Sequence, residues 1–113
     1  MSEVSKFFRL GADEIVDLAR GRGSCYETDR ITVDGLQVGY CYREEPDEPG
    51  DSGWRFFSGD ETQDYVNSAE NSAIYDVNTI ANYDPDILSF VDVAAPVRFE
   101  REGSDGPFRR VSD

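Results

Sequence analysis

Apolar residues in this chain come in short groups, broken by acidic and glycine-rich stretches, and no long periodic run appears. The clearest helical spacing lies between Ala12 and Arg20, where Ile15, Leu18 and Ala19 fall at i, i+3 and i+4 with Val16 beside them. Asp13 and Glu14 stand at its start, and Arg20 and Arg22 near its end, as the helix dipole favours. Gly21 and Gly23 then stop it. This pattern predicts an N-terminal helix, with Phe7, Phe8 and Leu10 docking ahead of it as an extended segment.

Strand patterns follow. Cys25–Tyr26 is a short one, and Ile31–Val33 leads into Asp34-Gly35, a two-residue hairpin signal with Leu36 to Tyr42 returning. On the return, Val38, Tyr40 and Tyr42 alternate with Gly39, Cys41 and Arg43. The run 44–53 is dense in acids and turn formers and reads as a loop. Gly53 to Ser58 is aromatic and strand-like, and is expected to pair antiparallel with Gly39 to Arg43. A polar stretch with a helical turn near Thr62–Val66 precedes a strand at Ile74–Val77. Asn78–Ala81 is a helical turn, and Asp84-Pro85 opens another as N-cap and first helical residue. Pro96 to Arg101 is a last strand, and residues 102–113 form a tail expected to be frayed. The sum predicts one α+β domain spanning 1–113. Its parts are a small antiparallel sheet, an N-terminal helix and short helical turns after the Ile74–Val77 strand.

Composition narrows the function. The 24 acidic and 11 basic residues leave a net charge of −13, which repels nucleic acid and anionic membrane surfaces and attracts a basic partner. Solubility alone also accounts for such a charge. Only 38% of residues are hydrophobic, so the seven Phe, six Tyr and one Trp must supply most of the core. The start, MSEVSKFF, lacks an apolar run, and no stretch nears the ~20 apolar residues of a membrane span, so a cytoplasmic location is expected. Cys25 and Cys41 are then reduced, small core residues.

Candidate chemistry is sparse. With no histidine and two cysteines, a zinc site or an activated nucleophile has little to draw on. Glu44, Glu45, Asp47, Glu48 and Asp51 precede the Trp54 strand, and Asp60, Glu61 and Asp64 follow it. Were these groups to meet at one sheet end, they would offer oxygens to a cation, but their spacing matches no EF-hand loop. No catalytic residue, metal or cofactor is assigned. The richest aromatic patch combines Gly53–Ser58 with Tyr40 and Tyr42, and it reads first as core and second as a binding surface. Alternation separates Trp54 and Phe56 from Arg55 and Phe57, and Arg55 marks the wetter face.

The run GYCYREEPDEPGDSGWRFFSGDE (Gly39–Glu61) resembles the shared core of a bacterial family first catalogued as a domain of unknown function. That family is also described as the thirty-third type of immunity protein of polymorphic toxin systems. IYDVNTIANYDPDIL resembles its second block, and SCYETDRI fits as the strand leading in, so the resemblance covers about Ser24 to Arg101. Among the family-like positions are Gly39, Tyr40, Arg43, Gly53, Trp54, Arg55, Phe56, Asn78, Asn82, Tyr83 and Pro85. The resemblance implies a non-enzymatic protein that neutralises a cognate toxin by binding it, and it brings no catalytic residues. Under that implication the binding residues are Glu44, Glu45, Asp47, Glu48, Asp51, Arg55, Asp60 and Glu61, facing a basic protein toxin. A small-ligand or regulatory module using Asn78, Thr79, Asn82 and Asp84 remains the alternative.

Overall fold

The structure, a computed structural model, describes residues 9–46, 48–103 and 106–111. Six strands form one sheet: β1 (Ser24–Thr28), β2 (Tyr40–Arg43), β3 (Asp51–Phe57), β4 (Ser72–Asp76), β5 (Val97–Arg101) and β6 (Phe108–Arg110). Their order is β4-β1-β3-β2-β5-β6. The sheet is mixed rather than wholly antiparallel, because the neighbouring strands β1 and β3 run parallel. The expected antiparallel pairing of β2 with β3 is present, with Tyr40 opposite Phe57 and Arg43 opposite Trp54. Three short helices connect the strands: α1 (Asp29–Thr32), α2 (Gln63–Asn67) and α3 (Val77–Tyr83).

Two local expectations fail for identifiable reasons. The helix expected over Ala12–Arg20 is reduced to a single 3-10 turn, Ala12–Glu14. Beyond it, side chains of α3 supply the partners that a helix would have drawn from its own backbone. Asn78 Oδ1 accepts from the amides of Leu18 and Ala19 at 2.7 Å each, and Asn78 Nδ2 donates to the Val16 carbonyl. Asn82 grips Val16 from both sides, accepting from its N–H and donating to its C=O. The Asp34-Gly35 hairpin is likewise absent. Gly35, at φ 79°, terminates α1 instead, with its own N–H bonded to the Ile31 carbonyl and the Leu36 N–H bonded to Arg30. Ile31 and Thr32 are adjacent and both fully buried, which a helical turn permits and a half-buried strand does not. Phe7 and Phe8 lie outside the described residues, whereas Leu10 bonds through its amide to the Tyr83 hydroxyl.

The later elements follow the sequence pattern closely. Thr62 caps α2, and the Asp84 side chain caps a 3-10 helix over Pro85–Ser89 with Pro85 in its first turn. The tail, expected to be frayed, contributes β6 as an edge strand against β5. One sheet face is the core. Trp54 and Phe56 stack there at 5.6 Å and are almost inaccessible, and Phe90 and Phe99 stack beside them at 4.3 Å. The Trp54 indole N–H donates to the Val91 carbonyl, so its polar edge is satisfied inside the apolar layer. Each such ring contributes roughly 1.5–3 kcal/mol by burial. The other eleven buried hydrophobic residues among those described are aliphatic, alanine or cysteine, so the rings supply less of the core than the composition implied.

Gly39 and Gly53 serve close approach. A Cβ on Gly39 would sit 2.0 Å from the Ser58 carbonyl oxygen, and one on Gly53 2.1 Å from that of Glu44. Gly53 also takes φ 89° where the β1–β3 register shifts.

Asp84 and Arg101 form an ion pair at 2.7 Å with both side chains only 2% exposed. Asp84 also accepts from the amides of Val38 and Asp86, while Arg101 donates to the carbonyls of Val38 and Gly106 and stacks over Phe108. The pair joins the β2 approach, the Pro85–Ser89 helix and the C-terminal hairpin. Removing one partner leaves an uncompensated buried charge, so Arg101→Ala is expected to lose about 3–5 kcal/mol. Urea denaturation measures this, and a loss under 1 kcal/mol would count against the role assigned to the pair.

Candidate functional site

The face of the sheet opposite the core is only partly covered. Alternation places Tyr26, Tyr40, Tyr42, Arg55 and Phe57 on it, and Arg98 and Glu100 continue it onto β5 through their pairing with Tyr42 and Tyr40. The aromatic rings form one cluster. Tyr40, Tyr42 and Phe57 have mutual centroid distances of 6.0–6.2 Å. The Arg55 guanidinium lies 4.6 Å above the Tyr26 ring, and Tyr26 is 45% exposed. Arg55 therefore does mark the wetter face, while Trp54 and Phe56 point into the core.

Arg55 is held in place by acids. Asp51 takes it in a bidentate pair at 3.0 and 2.9 Å, and Glu44 accepts from its Nε at 3.0 Å. The hydrogen bonds from Arg55 hold the Asp51 carboxyl below its ordinary range. Two carboxylates around one guanidinium leave one net negative charge at this edge. Glu44 remains half exposed, whereas the Asp51 and Arg55 side chains are only 19% and 11% exposed.

The eight residues expected to bind divide into unlike groups. Glu44, Asp51 and Arg55 form the network just described. Glu45 and Glu48 are exposed beside it, and Asp47 lies outside the described residues. Asp60 and Glu61 lie beyond the other end of β3, a seven-residue strand of about 20 Å. The two acidic loops therefore do not meet at a sheet end. Asp60 is engaged by Arg30 and Ser58, whose hydrogen bonds pull its carboxyl down to about 2. Glu61 accepts from the Thr28 hydroxyl and from the amides of Ser58 and Gly59, and so anchors the loop after β3. Among the described residues no three His, Cys, Asp or Glu side chains converge as a metal site. Of the polar groups of the small-ligand alternative, Asn78, Asn82 and Asp84 are engaged with the chain's own backbone and with Arg101, and Thr79 is partly buried.

Burial raises both cysteine thiols well above their ordinary range, and neither is in a disulfide. Both are core residues, and a buried thiol held protonated is a poor nucleophile.

The residues missed from the sequence are Tyr26 and Glu27. Tyr26 joins the aromatic face only because β1 pairs with β3, and a parallel pairing leaves no local turn signal. Glu27 points the other way, into the core, and is 1% exposed. Neither of its carboxylate oxygens has a hydrogen-bond partner among the described residues. Burial, with a smaller contribution from Asp29, pushes its carboxyl well above the usual range.

A mixed sheet with one packed face and one aromatic, acid-edged face makes this chain an α+β domain. Its family is shown by comparison: the model of the immunity protein Imm33 domain matches residues 25–112, and the chain belongs to that family. No curated protein and no solved structure matches it. No helix among the described residues is long and apolar enough to cross a membrane.

Glu27 makes stability depend on pH with a definite sign. Its folded carboxyl binds a proton more tightly than the unfolded one, which has a pKa near ~4.3. Stability is therefore full below that value and is lost as pH rises towards the folded pKa. Glu27→Gln is expected to match the parent near pH ~4 and to exceed it near pH ~7.5 by on the order of 1–3 kcal/mol. Urea titrations at the two pH values check this, and parallel pH profiles for the two proteins would contradict it.

Proposed function

We propose that this chain neutralises a cognate toxin by binding it directly, without catalysis, through the Tyr26–Arg55–Tyr42–Phe57–Tyr40 face. The observation that carries the reading is this face itself. It is a contiguous aromatic surface with a central, pre-positioned arginine, in a member of an immunity-protein family. Tyrosine and arginine supply most binding energy at interfaces, and a rigid strand surface loses little conformational entropy on binding. Arg55 is locked by Asp51 and Glu44 before any partner arrives.

Charge supplies the second half. The chain carries a net −13, and Glu44, Glu45 and Glu48 stand at one end of the aromatic face, with Asp47 among them in sequence. These groups steer a basic partner inward and reject acidic ones. Asp60 and Glu61 belong to the proposed rim only through the field they add at the far end of β3. Their side chains are already engaged within the chain. The partner is accordingly a toxin domain with a basic surface.

Co-expression with candidate toxin domains from the source cell tests the reading. The parent chain is expected to restore growth and to bind the purified toxin domain. Tyr26→Ala is expected to weaken binding about 10- to 100-fold, and Glu44→Lys to slow association and flatten its salt dependence. Failure of the parent chain to bind or neutralise any of these domains would overturn the proposal.

A further inference from the structure

The helix α2 returns over the open face after β3 and leaves a slot between itself and the aromatic cluster. The slot is about 290 Å³ in volume, and its lining includes Tyr26, Glu27, Thr28, Arg55, Val66 and Ser72. Two features say what it takes. It is small, at the lower limit of the ~300–1,000 Å³ usual for small-molecule clefts, so it suits one side chain better than a metabolite. It also offers little to an anion. Arg55 already makes four hydrogen bonds, to Glu44, twice to Asp51 and to the Trp54 carbonyl, which leaves one of its five N–H groups. An entering carboxylate would meet the Glu44 and Asp51 charges without a free fork to bind it.

The rim points the same way. Ile74 pairs in register with Tyr26, and the two are 61% and 45% exposed, so the slot opens onto an uncovered apolar edge. Exposed aliphatic and aromatic groups around a small cavity are the form of a pocket that receives a partner's anchor residue. A second copy of this chain is a poor occupant, because two bodies of charge −13 repel each other.

We propose that this slot receives one uncharged apolar side chain, aliphatic or aromatic, from the toxin, with basic toxin residues around it meeting Glu44 and its acidic neighbours. The inference rests on the immunity reading and adds to it the anchor and its chemical class. Specificity then divides between two parts of the face: the slot selects an apolar residue, and the acidic edge selects what surrounds it.

The test has two arms. In the first, N-acetyl-leucine amide, N-acetyl-phenylalanine amide and N-acetyl-glutamate amide are titrated separately into the labelled chain and followed by NMR. Saturable shifts at Val66 and Thr28 are expected with the two apolar amides and not with the glutamate amide. Val66→Arg, which places a charge in the slot mouth, and Ser72→Phe, which fills it from β4, are each expected to abolish these shifts. In the second arm the same variants meet the candidate toxin domain, and each is expected to bind it at least about tenfold more weakly than the parent. Preserved shifts across the β-sheet amides identify the folded variants, and either variant alone suffices. The anchor is overturned if no apolar amide gives saturable shifts, or if folded variants bind the toxin as tightly as the parent. In the latter case the immunity reading stands. A parent chain that does not bind the toxin overturns the immunity reading, and the anchor falls with it.

Discussion

The Asp84–Arg101 ion pair sits where three segments with little regular structure of their own converge. The approach to β2, the Pro85–Ser89 helix and the C-terminal hairpin all make hydrogen bonds to it. A chain of 113 residues with 38% hydrophobic content cannot hold such segments by apolar burial alone. Taking two charges out of water is costly, and here the cost is offset by satisfying both groups with backbone partners as well as with each other. Arg101 then presses on Phe108, Phe108 meets Phe90 edge-on at 4.9 Å, and Phe90 stacks on Phe99. The polar clamp and the aromatic layer form one continuous body. Asn78 and Asn82 act in the same manner on the N-terminal side, where they tie residues Val16 to Ala19 to α3.

These devices all lie on one side of the sheet, and that asymmetry connects fold to function. Trp54, Phe56, Cys41 and Val97 face inward, so the alternate residues of the same strands must face outward. The outward set is Tyr40, Tyr42, Arg55 and Phe57, with Tyr26 added by the parallel β1–β3 pairing. The proposed binding role calls for a firm surface rather than a reactive group. The strands provide that surface, and Asp51 with Glu44 fixes the one long side chain within it.

Much of this order was legible in the sequence, and the failures share a cause. The β2–β3 pairing, the Thr62 and Asp84 caps and the strand ending at Arg101 carry local signals of alternation, capping and proline placement, and the structure contains each of them. The Ala12–Arg20 helix failed because Asn78, some sixty residues away, captures its backbone, and local periodicity cannot register a distant competitor. The Asp34-Gly35 hairpin failed because a glycine at positive φ ends a helix as readily as it turns a hairpin. The separation of Arg55 from Trp54 was legible from alternation. The place of Tyr26 beside Arg55 was not, because parallel pairing has no sequence-local mark. Several positions by which the chain resembles its family, among them Gly39, Gly53, Asn78 and Asn82, have architectural roles here.

Under the proposed function the aromatic face, and not the helical layer, meets the toxin. Hydroxyl-radical footprinting of the chain alone and saturated with its toxin domain tests it most directly. Tyr26, Tyr42 and Phe57 are expected to lose reactivity in the complex, while Val16 and Leu88, exposed on the helical layer, keep theirs. Protection of Val16 and Leu88 with Tyr26 and Phe57 unchanged would contradict the account.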